Sequence, residues 1–319
     1  MRWQTCFTVG LLSCAIFSGV RGEEAIKPIP GVGPVGPLEL VHDGLKFAEG
    51  PAADARGQLF LVDVRSGLVL RLLPDGKLET VVKKSQGING MMFDLKGRLI
   101  GCQAGPGRIV AIDVSSGRVT PVASEYHGHR FIAPNDLVVD HAGGVYFTDP
   151  RFGRGNKHQD KQGVYYVSAD GTATRLIDDL KFPNGIALSP DNSTLYVLPY
   201  RTPELMAYKV ESPGKLGPGR ALYTVPVREN SRSGGGDGMT LDTRGNLYLT
   251  APAVRAICVV RPDGKELGRI PLPQTPTNCV FGGPDFKTLY VTTYNRLYAL
   301  PMEAQGYSLA ASKNHKTSP

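Results

Sequence analysis

Tryptophan is almost missing from this chain of 319 residues: its single copy, Trp3, stands at the extreme N-terminus. Cysteine is sparse too. Of five, Cys6 and Cys14 fall in an N-terminal apolar stretch, leaving Cys102, Cys258 and Cys279. An odd number without paired spacing speaks for buried thiols, against a disulfide framework or a thiolate zinc site. After the leader, no apolar run reaches the roughly 18–20 residues that a membrane helix needs. Gly-x-Ser-x-Gly elbows and phosphate-binding loops are absent, which argues against a serine hydrolase or a nucleotide enzyme. Long blocks of one charge are missing as well. The formal charge is +7, yet its basic residues are scattered, with Lys83-Lys84 the longest run. Such a distribution serves solubility and gives no reason to expect nucleic acid as a partner.

What is present begins with a leader. Arg2, the largely apolar Cys6–Val20 and the small residues around Gly22 predict a signal peptide over 1–22. Export follows, to a periplasm or the medium. Leu11-Leu12-Ser13-Cys14 offers a competing lipidation box, with Cys14 as a lipid anchor. Residues 23–37 read as a Pro- and Gly-rich connector and 304–319 as a polar tail, with a basic cluster at Lys313–Lys316.

Between them, one phrase recurs six times. The copies begin at Glu49, Asn89, Asn135, Asn184, Asp237 and Asn278, at intervals of 40, 46, 49, 53 and 41 residues. After each, an apolar strand ends in a turn built on Asp, usually with Gly three positions on, as in Asp54-Ala-Arg-Gly57 and Asp242-Thr-Arg-Gly245. A second strand of β-branched and aromatic residues follows, such as Thr194-Leu-Tyr-Val-Leu198. Hairpins at Asp75-Gly76, Ser116-Gly117, Asp170-Gly171 and Asp263-Gly264 complete the unit. A period of roughly 40–50 residues with four strands per unit predicts an all-β, six-bladed propeller of antiparallel blades over 38–303. The strand Leu38–Val41 is expected to close the last blade. Two departures, Arg151–Gln162 and Arg228–Gly236, read as loops for substrate contact or a lid.

Closing the ring sends the six opening residues toward one axial site lined by Glu, Asp and four Asn. Asn-Gly and Asp-Gly are also turn dipeptides, so the phrase could merely bend the chain. Glu49-Gly50 and Asn135-Asp136 fit that role poorly, and the hairpins already have their own Asp-Gly pairs. A polar position kept while its turn chemistry varies reads as a ligand. Glu49 and Asp237 with amide oxygens of Asn184 and Asn135 make an all-oxygen set suited to one divalent cation, Ca²⁺ foremost, with Mn²⁺, Mg²⁺ or Zn²⁺ as alternatives.

The phrases "FAEGPAADARGQLFLVDV", "RFIAPNDLVVDHAGGVYFTDPRFG", "FPNGIALSPDNSTLYV" and "GDGMTLDTRGNLYLT" resemble, in order and spacing, the SMP-30/gluconolactonase (regucalcin-like) family of six-bladed propellers. The resemblance runs over roughly Leu38 to Met302. It implies that Glu49, Asn184 and Asp237 bind the metal, with Asn135 at the metal or on the substrate. It also implies that Asp237 accepts and returns the proton in lactone hydrolysis, the substrate being a small lactone such as an aldonolactone. Some members carry an Arg two residues before the third-repeat Asn. Here Ala133 stands there, and Arg130 is the nearest candidate to hold substrate.

Other residues carry less. His127-Gly-His129 has strand spacing for two ligands but reads as solvated, and Asp149 reads as capping the turn after its strand. The Tyr repeated in the second strands reads as packing between blades. Two other functions remain open on sequence alone: hydrolysis of another ester or phosphotriester on the same metal, and a non-catalytic propeller binding a sugar or protein. Oligomeric state is left open.

Overall fold

β-Branched and aromatic segments alternate with Asp- and Gly-built turns along the chain, and the computed structural model folds them into six four-stranded antiparallel sheets. It describes residues 26–152, 158–228 and 234–312. The expected signal peptide with Cys14, parts of both expected loops and Lys313–Lys316 lie outside the described residues.

The sheets follow chain order as blades. Strand β1 (Glu39–Asp43) comes first. Blade 1 comprises β2 (Ala48–Ala53), β3 (Leu59–Asp63), β4 (Leu68–Leu72) and β5 (Leu78–Val82); blade 2 comprises β6 (Ile88–Phe93), β7 (Leu99–Gln103), β8 (Arg108–Asp113) and β9 (Arg118–Ala123). Blade 3 holds β10 (Leu137–Val139), β11 (Val145–Asp149), β12 (Gly163–Val167) and β13 (Ala173–Ile177); blade 4 holds β14 (Pro183–Leu188), β15 (Thr194–Pro199), β16 (Glu204–Ser212) and β17 (Lys215–Thr224). Blade 5 consists of β18 (Met239–Leu241), β19 (Leu247–Ala251), β20 (Ala256–Val260) and β21 (Glu266–Pro271). Blade 6 consists of β22 (Pro276–Gly282), β23 (Thr288–Thr293) and β24 (Arg296–Pro301), and β1 pairs antiparallel with β24 to complete it. The N-terminal strand thus closes the ring, as its position in the sequence predicts.

Burial explains the strand compositions. β3, β7, β11 and β19 are buried at every residue, because blades stack on both of their faces. The outermost strands β5, β9 and β13 are only partly buried and mix polar with apolar residues. Apolar side chains gather in six clusters, one at each junction between neighbouring blades. The second-strand tyrosines Tyr146 and Tyr248 are buried in two of them, and Cys102, Cys258 and Cys279 are buried free thiols. The Asp turns form as read: Asp54 Oδ1 accepts the N–H groups of Arg56 (2.8 Å) and Gln58 (3.0 Å), while Gly57 adopts φ +78°.

The two ends of the chain differ from the sequence reading. Ile29 and Val32 of the expected connector are buried against blades 5 and 6. Residues 304–312, expected within a polar tail, instead cross beneath the ring. Tyr307 N–H donates to the Leu241 carbonyl (3.0 Å), and the short helix α1 (Leu309–Ser312) follows. Leu309 is 1% exposed and joins the core between blades 2 and 3. The compact unit therefore extends at least to Ser312. Composition hid this, because Leu309 is an isolated apolar residue in a polar setting. Leu309→Ala is expected to cost about 2–4 kcal/mol of unfolding free energy, read by urea titration; a fraying tail would leave the midpoint unmoved.

Candidate active site

The inner strands β2, β6, β10, β14, β18 and β22 contact one another in a closed ring around the axis. The repeated phrase sits where each begins. In β2, β6, β14 and β22 the ladder is interrupted there by a register shift, a device that re-aims a side chain. None of Glu49, Asn89, Asn135, Asn184 or Asp237 has positive φ, so the phrase is not a left-handed turn.

The glycine that follows has a different cause. A Cβ on Gly50 would overlap the Asn89 carbonyl, and one on Gly185 the Asp237 carbonyl. A Cβ on Gly90 would overlap the Asp136 carboxylate, and one on Gly238 the Asn278 amide. Only Gly50 among these four has positive φ, at +48°. Close approach of neighbouring strands, rather than backbone conformation, demands the glycines. Neighbours also join by hydrogen bonds, Gly90 N–H to the Asn135 carbonyl (2.7 Å) and Gly238 N–H to the Thr277 carbonyl (2.9 Å).

This register corrects one member of the expected set. Pairing places Thr240 opposite Tyr248 and Val280 opposite Tyr290, so Thr277, three residues before Val280, occupies the position of Asp237. Asn278 stands one step further, level with Gly238 and Asp136. Counted back from its Asp turn, Asn278 has the same seven-residue spacing as Asn184 in the fourth phrase, and that coincidence places an Asn one step past the true opening position. The upper ring is Glu49, Asn89, Asn135, Asn184, Asp237 and Thr277. Thr277 turns its hydroxyl to the Ala48 carbonyl (2.7 Å) and leaves the site. Beneath the ring, Asp136 and Asn278 reach into the space that the glycines leave.

The geometry brings together Glu49, Asn184 and Asp237. Asn184 Nδ2 donates to Asp237 Oδ1 (2.8 Å), which directs its amide oxygen away from that carboxylate. Glu49 Oε2 accepts the Gly50 N–H (3.1 Å) and faces Asn278 Nδ2 (3.5 Å). The Thr250 hydroxyl accepts the Asp237 N–H (3.1 Å) and fixes the backbone there. Asn135 is half-buried at the rim, its N–H bonded to the Thr148 carbonyl (2.9 Å). The loop leading to it is held by Asp149, which is buried and accepts the N–H groups of Ile132 (2.8 Å) and Ala133 (2.7 Å). Asp149 therefore braces the preceding loop, not the following turn. Arg130 is exposed on that loop and takes part in no ion pair among the described residues; His127 is exposed and stacks on Tyr126.

Asp136 is the residue the sequence reading passed over. Its signal was available: where four repeats place glycine, the third places a carboxylate. Glu49 and Asp136 are 4% and 8% exposed. No Lys or Arg pairs with Glu49, Asp136 or Asp237 among the described ion pairs. Burial first, then the charge of Asp237, raises the Glu49 pKa well above its usual value. Burial raises Asp136 to about 7; burial, then the Asp136 charge, raises Asp237 to about 7. Among the described residues no three His, Cys, Asp or Glu side chains converge as a metal cluster. A cation here would need the amide oxygens as well. Buried carboxylates without a counter-charge, beside an amide oriented by one of them, fit that need.

Below Asp136 and Asn278 the channel continues as a cavity of about 110 Å³ lined by Met91, Leu137, Ile186 and Met239, with Tyr307–Ala310 as its floor. The three raised pKa values mean that the folded state binds more protons than the unfolded chain between about pH 4 and 7. Without cations, stability should therefore fall as pH climbs through that window. Melting chelator-treated protein at pH 5 and pH 8 should show the lower Tm at pH 8, and saturating Ca²⁺ should remove most of the difference. A Tm at pH 8 that ignores Ca²⁺ would rule out a cation-binding carboxylate set.

With this geometry in hand, comparison with known proteins gives a consistent result. The family model described as the SMP-30/gluconolactonase/LRE-like region matches residues 47–295. A gluconolactonase of Zymomonas mobilis is 31% identical over 283 residues, covering 80% of this chain and 78% of that protein. The lactonase drp35 of Staphylococcus haemolyticus is 31% identical over 244 residues, covering 74% and 72%. A solved gluconolactonase of Xanthomonas campestris is similar at TM-score 0.74 and 32% identity, covering 83% of this chain and 89% of its own. The chain belongs to the SMP-30/gluconolactonase/LRE-like family.

Proposed function

We propose that this protein hydrolyses a small lactone of the aldonolactone type at the axial site, using one divalent cation held by Glu49, Asn184 and Asp237, with Asn135 on the substrate or the ion. The observation that carries the reading is the Glu49–Asn184–Asp237 set, buried at Glu49 and Asn184 and half-buried at Asp237, without a basic partner among the described residues, on a chain whose relatives are gluconolactonases and lactonases. All donors are oxygen, which favours Ca²⁺, with Mg²⁺, Mn²⁺ and Zn²⁺ as alternatives. When bound, the cation would draw electron density from the ester carbonyl and offset the carboxylate charge.

The chain's own groups divide the remaining work. Asn184 takes one Asp237 oxygen in a hydrogen bond, leaving Oδ2 to accept a proton from the attacking water. The water oxygen forms the new bond to the carbonyl carbon, the ring C–O bond breaks, and Asp237 returns the proton to the departing ring oxygen. The product is one hydroxy acid, with atoms and charge balanced. A carboxyl that takes the proton from water and stands beside the departing ring oxygen can serve as base and then acid in one cycle. Glu49, anchored by the Gly50 N–H, would be held ionised by a bound cation and share in its charge balance.

The leader over 1–22 supports export, either free or tethered through Cys14. No helix among the described residues is long and apolar enough to cross a membrane.

Hydrolysis of glucono-δ-lactone by chelator-treated protein, with single divalent ions added back, tests the reading. Turnover should require the ion. Asp237→Asn should lower kcat by about 10²–10⁴ while its circular dichroism matches the parent. Ion binding without turnover on any lactone would favour a sugar- or protein-binding propeller, and turnover confined to other esters or phosphotriesters would move the substrate class.

A further inference from the structure

Beside the Asn184–Asp237 pair the rim of the channel carries an aromatic corner that the catalytic reading leaves unused. Phe182, two residues before Asn184, adopts φ +54°, a conformation a bulky side chain rarely takes and one that gathers at functional sites. Its carbonyl accepts the Tyr200 N–H (2.9 Å), which fastens the ends of β14 and β15 together. The Phe152 ring stacks on Phe182 (centroids 5.6 Å apart, planes at 28°) and meets Tyr200 edge-on (5.8 Å, 87°). The Arg201 guanidinium lies 4.0 Å above the Phe182 ring and joins no ion pair among the described residues.

The corner is locked to the site. Gly234, Gly235 and Gly236 run into Asp237, and a Cβ on any of them would overlap atoms of the Leu198–Thr202 stretch. Three glycines in a row thus let the strand that delivers Asp237 press against the strand end that carries Tyr200 and Arg201. Burial first, then the charge of Asp237, raises the Tyr200 pKa, so the phenol lies in that carboxylate's field. Phe152 nevertheless remains 46% exposed. Exposed aromatic surface continuous with a polar site suits a ligand that is apolar on one face.

Building on the lactonase reading, we propose that Phe152, Phe182, Tyr200 and Arg201 form a second subsite at the rim, and that it admits, beside aldonolactones, lactones carrying a flat apolar group. Stacking on the aromatic rings supplies the affinity. The Arg201 N–H edge serves a polar or anionic group at the far side of that ligand.

The test compares parent, Phe152→Ala and Arg65→Ala proteins on dihydrocoumarin, δ-valerolactone and glucono-δ-lactone. Arg65 is the control, because it stacks on Phe47 and Tyr294 away from this corner. Phe152→Ala should raise KM for dihydrocoumarin about tenfold with kcat within about twofold, and leave δ-valerolactone unaffected. Calorimetric Kd for the ring-opened product, 3-(2-hydroxyphenyl)propanoate, should weaken by a similar factor without any turnover being required. Equal losses on all three lactones, an equal loss in Arg65→Ala, or an unchanged product Kd would overturn the subsite. If no lactone is turned over by the parent protein, the hydrolase reading fails while the Kd comparison still decides the subsite.

Discussion

Six strands meeting on one axis leave too little volume for a side chain at every position, and the rest of the site follows from that crowding. Gly50, Gly90, Gly185 and Gly238 yield room where the neighbouring strand passes. The residues before them are turned inward by broken ladders. Because the blades stack through six separate apolar cores, the axial positions are set by packing far from the axis. Polar groups are thereby held in place by a framework that does not depend on their own interactions.

Such a framework can carry electrostatic strain. Glu49, Asp136 and Asp237 repel one another in a setting that burial makes unfavourable for charge. A loosely packed protein would relieve this by spreading apart. Here strand pairing and the Thr250 hydroxyl prevent relaxation at Asp237, so the carboxylates stay together and raise one another's pKa values. The same arrangement that costs stability is what the proposed cation would relieve.

Much of the site could be read from the sequence because each phrase carries its own frame, a polar residue before and an Asp turn after. That frame located Glu49, Asn184 and Asp237 and the number of blades. It fails where a residue of the right type stands one step out of place. In the sixth repeat Asn278 keeps the Asn-to-Asp spacing of the fourth phrase, although strand pairing gives the position of Asp237 to Thr277. Asp136 lies outside a frame defined by opening residues, because it departs at the second position, where Gly50, Gly90, Gly185 and Gly238 stand in other repeats. The bracing of the 132–133 loop by Asp149 is a contact across blade 3, and a short-range pattern does not encode it. The burial of Leu309 depends on a channel floor that exists only once the ring has closed.

β1 pairs with β24, and residues 304–312 pass under blades 5 and 6 to reach the core between blades 2 and 3. Both contacts join segments from opposite ends of the sequence. Both span most of the chain, so they carry a large loop-closure entropy. A nascent chain can stack its early blades as they emerge, but blade 6 lacks its outer strand until N- and C-terminal parts meet. The polar site shares this timing. Blade 6 contributes Asn278, and blade 1 contributes Glu49, so the junction that completes the ring also completes the carboxylate set. An incompletely closed chain would have assembled blades and a divided polar site.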